Sequence, residues 1–211
     1  MKRGRRLLPR YDAAQRINHW TVVITFVLVA ASGLALFHPS MYWLTQFFGS
    51  GTWARILHPF IGVVMFISFI ALAVRLGRHN RMTPSDRQWL AKAADVVSGR
   101  HERLPPAGRY NGGQKLVFWI MVAAMSVLLF TGLAFWQPYF APLVPVELAR
   151  VAVVLHALAA VVLLLSIIVH IYAALWVRGT MRAMVRGDVT EVWARKHHAL
   201  WYRQQLEGSK E

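Results

Sequence analysis

The sequence predicts an all-α membrane protein, a four transmembrane helix bundle with both termini inside (N-in/C-in) and short cytoplasmic interfacial helices. Three observations carry this reading. The 211 residues are 56% hydrophobic and only 16% charged, with a mean hydropathy of +0.40, whereas a soluble domain carries about 25% charged residues. Asp, Glu, Lys and Arg are absent from four stretches, 17–54, 56–74, 116–146 and 151–177, of 38, 19, 31 and 27 residues. Finally, 22 of the 24 Lys and Arg residues fall in the N-terminus, the middle loop and the tail, the bias that marks cytoplasmic segments.

A spanning helix needs roughly 20 apolar residues, and lipid cannot satisfy backbone polar groups, so runs this long are helical. They place spans near 18–37, 54–76, 115–136 and 148–177, in a single integral-membrane domain over 1–211. The first and third runs overshoot because each contains a turn, at His38-Pro39-Ser40 and Gln137-Pro138. A cleaved leader is the weaker reading of the first span, since apolar residues continue past the small-residue stretch Ala30-Ala31-Ser32-Gly33. The excess positive charge of +15 belongs to loops beside anionic lipid rather than to a nucleic-acid surface. With no cysteine, the chain holds no disulfide, thiolate zinc site, iron–sulfur cluster or thioether-attached haem.

The polar segments have their own pattern. Outside, Tyr42, Trp43, Phe47, Phe48 and Trp53 are mirrored after the third span by Phe135, Trp136, Tyr139 and Phe140, as rings gather at headgroup level. Inside, Thr83 and Pro84 open a helix as N-cap and first residue. Trp89, Leu90, Ala93, Val96 and Val97 share one face of it. The tail from Thr190, with Trp193, Leu200 and Trp201 among basic residues, reads as a second helix lying on lipid. No internal repeat is visible.

Nine histidines are present, and four of them, His19, His58, His156 and His170, lie in spans that hold no other ionisable side chain away from their ends. An ionisable group inside a membrane is a functional-site hypothesis. His156 and His170 are 14 residues apart on one helix, so they share a face and differ by roughly 21 Å in depth. His19 matches the depth of His170, and His58 that of His156. Two imidazoles from different helices at one depth suit the two axial positions of a haem iron, and a doubly ligated iron serves electron transfer. Gly62, one turn after His58, and Gly33, level with the outer pair, leave room for a macrocycle. His197 and His198 read as a solvated basic face, His79 and His101 as cytoplasmic, and His38 as a turn residue beyond the first helix. Zinc is disfavoured, because a site wants three or four close ligands. Just before the third span, Asn111 and Gln114 offer neutral hydrogen-bonding groups and Gly113 allows close backbone approach, which would suit a quinone.

Taken together, Arg16-Ile17-Asn18-His19-Trp20, Arg55-Ile56-Leu57-His58-Pro59, Gly108-Arg109-Tyr110-Asn111-Gly112-Gly113-Gln114-Lys115, Leu155-His156-Ala157, Val169-His170-Ile171-Tyr172 and Trp193-Ala194-Arg195-Lys196-His197-His198 resemble the cytochrome b (gamma) subunit of membrane-bound respiratory formate dehydrogenase. The resemblance runs over about 10–203. It implies two haem b groups, the outer on His58 and His156 and the inner on His19 and His170. It also implies menaquinone reduction beside Asn111, Gly113, Gln114 and His170. The implied partners are an iron–sulfur beta subunit and a molybdenum- or tungsten-containing alpha subunit that oxidises formate, with room for a higher oligomer of the heterotrimer. The implied location is a bacterial inner membrane. Gln137 departs from the arginine expected there, and His38 from an apolar residue. The rival readings are the cytochrome b subunit of a nickel–iron hydrogenase or thiosulfate reductase and, from another class, a haem-free transporter or assembly factor.

Overall fold

The computed structural model describes residues 6–100 and 103–207; Lys2, Arg3, Arg5, His101 and Lys210 lie outside the described residues. Four helices are long and apolar enough to cross a membrane: α1 (Ala13–Phe37), α2 (Gly51–Gly77), α5 (Gly112–Ala134) and α6 (Val146–Trp176). Each begins two to five residues before the predicted start. The first turns are polar, and a polar first turn extends a helix out of the apolar layer without ending it. Few side chains of these helices are buried, and those of α6 are mostly exposed, Val154, Leu158, Leu165 and Ile168 among them, as expected of surfaces whose solvent is lipid. Also described are the strands β1 (Leu7–Pro9) and β2 (Asp188–Thr190), the short helices α3 (Pro84–Ala91), α4 (Ala93–Val97), α7 (Thr180–Arg186), α8 (Glu191–His197) and α9 (Ala199–Glu207), and 3-10 helices at Pro39–Phe48, Arg78–Asn80 and Ala141–Leu143.

The chain forms two compact units. One comprises Ile17–Ala73 and Ile120–Ser166, the other Met1–Arg16, Val74–Trp119 and Ile167–Glu211. In the first, the 3-10 helix is capped by His38, whose Nδ1 accepts from the Ser40 amide at 3.2 Å. This fits the turn role read from Pro39. Phe60, Trp136 and Tyr139 form an edge-to-face cluster with ring centres 5.0–6.2 Å apart.

The second unit departs from the reading of a tail laid on lipid. Leu8 and Val189 face each other across the antiparallel β1–β2 pair. With Ala183, Trp193, Ala194 and Trp201 they form a small hydrophobic core. The tail's aromatic face is therefore turned onto protein, and Val192 and Leu200 are what it leaves exposed. Arg10 is buried in this core, its guanidinium carbon 4.7 Å from the Trp201 ring centre, 5.0 Å from Trp193 and 5.8 Å from Tyr11 and Tyr110. Aromatic faces attract a desolvated cation. Arg10 Nη2 also donates to the Arg109 carbonyl at 2.6 Å, and the Arg109 guanidinium donates back to the Arg10 carbonyl.

The segment between α2 and α5 carries the predicted Thr83 cap. The Asp86 carboxylate accepts from the Thr83 amide and hydroxyl at 2.8 and 2.6 Å. The helix then breaks at Lys92, where φ is −102° and ψ 21°, so the single predicted helix is two. Lys115 at the start of α5 reaches back to Asp86 at 2.7 Å and to the Arg81 carbonyl at 3.1 Å. Burial pushes the Asp86 carboxyl up, but hydrogen bonds from Lys115 and Thr83 outweigh it and hold it below its ordinary value.

His198 is not on a solvated face. It is fully buried, and its Nδ1–H donates to the Gly108 carbonyl at 2.8 Å. Burial, reinforced by the Arg10 charge, pushes its imidazole down to about 3. An unfolded histidine titrates near 6.5, so His198 contributes stability in full above that pH and loses it as pH falls from about 6.5 toward 3, by up to about 1.4 kcal/mol per unit. Acidification from pH 7.5 to 5 should therefore cost this unit about 2 kcal/mol in the parent chain but not in His198→Gln. Hydrogen-exchange protection of α8 and α9 at the two pH values measures the difference. Equal losses in both chains would mean that His198 is not the group that titrates.

Candidate functional site

The outer pair of histidines meets in the first unit. His58 sits two turns into α2 and His156 nearly three turns into α6. Their ring centres are 6.3 Å apart and the planes are inclined by 61°. Two imidazoles on opposite sides of one metal ion, each nitrogen about 2 Å from it, have ring centres about 6 Å apart, so the spacing fits a shared axial-ligand site. The two side chains come from separate spans, and both are held by neighbours.

Those neighbours repeat. Ser32 of α1 lies with Oγ 2.8 Å from His58 Nδ1, and Thr131 of α5 with Oγ1 3.0 Å from His156 Nδ1. A glycine follows each hydroxyl residue. A Cβ at Gly33 would stand 3.2 Å from His58 Cε1, and one at Gly132 3.2 Å from His156 Cε1, so both glycines admit a ring edge against their helix. Gly33 is therefore beside the outer pair, as its position in the sequence suggests. A Cβ at Gly62 would meet no heavy atom within 4 Å. The sequence reading gives Ser32 no part in the site, and Thr131 and Gly132 do not figure in it. The signal for them is a hydroxyl–glycine dipeptide whose hydroxyl residue lies 26 or 25 residues before its histidine.

Of the inner pair, His19 belongs to the first unit, with its ring edge-on to Trp20 at 5.7 Å, and His170 to the second, near the end of α6. The residues read as quinone contacts have structural work of their own. The Gln114 amide donates to Asn111 Oδ1 at 2.9 Å, and the Asn111 amide donates to Gln114 Oε1 at 3.0 Å. This reciprocal cap starts α5 and satisfies two orphan helix donors. It occupies the acceptor oxygens and leaves both side-chain NH₂ groups as donors. Gly112 and Gly113 receive α3: a Cβ at Gly112 would come 2.6 Å from the Asp86 carbonyl oxygen, and one at Gly113 2.8 Å from Trp89 Cζ3.

Residues 10–187 match the family model for prokaryotic cytochrome b561. The chain belongs to this family. Within it, the chain is 48% identical over 204 residues to the Escherichia coli K12 protein named formate dehydrogenase, cytochrome b556(fdo) subunit, covering 97% of this chain and 95% of the relative. It is 41% identical to the nitrate-inducible formate dehydrogenase cytochrome b556(Fdn) subunit of the same strain, over 94% of this chain and 92% of the relative. The formate dehydrogenase cytochrome b556 subunit of Haemophilus influenzae is 40% identical, over 93% and 83%. The histidine pair just described thus sits in a member of a cytochrome family, and the matched residues include all four histidines of the spans.

Gly113 is packed against Trp89 where α5 begins. Gly113→Val should drive a side chain into Trp89 and loosen α3 from α5, read as faster proteolysis of the 84–97 segment. Adding Trp89→Ala should restore much of the resistance. Undiminished resistance in Gly113→Val alone would show that Trp89 yields without cost.

Proposed function

We propose that this cytochrome is the haem-bearing membrane subunit of a formate dehydrogenase, carrying electrons from outside to inside and delivering them to a quinone at the cytoplasmic face. The observation that carries the reading is the His58–His156 pair, two imidazoles from separate spans at metal-sharing distance, in a chain similar over nearly its whole length to formate dehydrogenase cytochrome subunits. Those names favour a formate dehydrogenase over a hydrogenase or thiosulfate reductase as the donor. The family and the ligand pair together stand against a haem-free transporter or assembly factor.

In this reading His58 and His156 hold the outer haem b. By the depth matching in the sequence, His19 and His170 hold an inner one. Haem iron with both axial positions filled exchanges single electrons without opening to oxygen. The chain's own work is to hold the ligands at two depths within one integral-membrane domain and to keep the spans free of competing charge. Asn111 and Gln114 would donate from their side-chain NH₂ groups to the carbonyls of a menaquinone near His170, with Gly113 allowing close approach. Donation stabilises charge as it develops on the reduced oxygens. Partners follow from the same reading: an iron–sulfur beta subunit outside, and an alpha subunit with molybdenum or tungsten that oxidises formate. The basic segments support a quinone end on the inner side, and a bacterial inner membrane is the location this reading implies.

Haem content tests the ligands. Reduced-minus-oxidised spectra of the purified complex should lose the outer haem in His58→Ala and His156→Ala and the inner one in His19→Ala and His170→Ala. Two full low-spin haems in any of these variants would remove that residue as a ligand. For the quinone contact, Gln114→Glu is the cleaner probe, because its carboxylate still accepts from the Asn111 amide while the NH₂ donor is gone. A single hydrogen bond is worth about 0.5–1.5 kcal/mol, so the KM for a menaquinone analogue should rise about two- to tenfold with both haems still reduced by formate. Unchanged turnover at limiting quinone would put the quinone elsewhere.

A further inference from the structure

The hydroxyls beside the outer histidines have a definite hydrogen count. Ser32 Oγ lies 2.9 Å from the Leu28 carbonyl oxygen and 3.1 Å from that of Val29. Thr131 Oγ1 lies 2.6 Å from the Val127 carbonyl oxygen and 3.3 Å from that of Leu128. A hydroxyl has one proton, and a mid-helix serine or threonine gives it to the carbonyl one turn back. Its oxygen then faces the imidazole as an acceptor. Each Nδ1 therefore carries the proton, and Nε2 keeps its lone pair. The same construction occurs twice, on α1 for the histidine of α2 and on α5 for the histidine of α6.

We propose that Ser32 and Thr131 are positioning residues for the outer haem. Each holds its histidine as the Nδ1–H tautomer, in one ring orientation, with Nε2 as the ligating atom. By accepting from Nδ1–H, each also makes the imidazole a stronger donor to the metal. Groups that bond the distal N–H of a metal-bound histidine orient it and raise its basicity, and a more basic ligand favours the oxidised iron. The pair thereby lowers the potential of the outer haem relative to the same ligands without hydroxyls. Ser32 is fully buried, so water cannot take over its bond. The inference rests on the reading of His58 and His156 as axial ligands.

The test uses the purified, haem-loaded complex. Thr131→Val removes the hydroxyl at nearly constant volume, Ser32→Ala removes the other, and Thr131→Ser keeps one. Redox titration of the α-bands should show the outer potential rising in Ser32→Ala and in Thr131→Val. At fixed ambient potential the reduced-to-oxidised ratio of that haem should grow about two- to tenfold, which is about 20–60 mV for a one-electron couple. The double variant should shift further, Thr131→Ser should stay near the parent, and the inner haem should not move. The ferric low-spin resonance of the outer haem should change position in the same variants as the ring orientation relaxes. Unchanged outer potentials and resonances in Ser32→Ala and in the double variant, with haem content intact, would overturn the proposal. A downward shift, or an equal shift of the inner haem, would overturn it too. His58→Ala in the same series separates the two readings. If it retains both haems, the ligand assignment itself has failed. If it loses the outer haem while the hydroxyl variants behave as the parent, only the positioning role has failed.

Discussion

A hydrocarbon layer offers no hydrogen bonds, and that constraint shapes every polar choice in this chain. Backbone groups are satisfied within four long helices. Ser32, Ser126, Thr131 and Ser166 each turn a hydroxyl back onto a carbonyl of their own helix. The histidines of the spans cannot be satisfied by their own turns, so their nitrogens need partners from another element. For His58 and His156 those partners, at Nδ1, are hydroxyls of the preceding span. In water the same side chains would be solvated in many orientations. Within lipid, the shortage of partners selects one.

Outside the layer a different economy holds. The second unit is small, and its buried cations are held by means other than abundant carboxylates. Lys115 has Asp86, whose other bonds start α3. Arg10 has four aromatic rings and a backbone carbonyl. His198 stays neutral. Each device joins segments far apart in the chain, so the unit depends on a few directed contacts more than on buried area.

The spans and the outer histidine pair were legible because both follow from periodicity and depth, which a straight helix preserves. Gly33 was legible for the same reason. Ser32 and Thr131 were not: a hydroxyl in a membrane helix ordinarily satisfies itself, and nothing in the local pattern reports that it also serves a neighbouring span. The tail was misread because Trp193 and Trp201 make an amphipathic pattern that lipid and a protein core would bury equally well. The deciding partner, Leu8, lies 185 residues before Trp193 and 193 before Trp201. His198 followed the same error, since its acceptor at Gly108 is 90 residues away. Asn111 and Gln114 were read for a ligand, while their first use is to cap the helix that carries them.

The pairing of β1 with β2 has a consequence for the order of assembly. Leu7–Pro9 precedes the first span, and its partner Asp188–Thr190 is made only after the fourth. Until then Leu8 has no strand to lie against, and Arg10 lacks the Trp193 and Trp201 faces that enclose it. The spans can insert one after another as they are synthesised, but the second unit closes last. Closure then joins segments from either side of the four spans, so a chain interrupted before α8 would carry its helices into the membrane with that clasp undone.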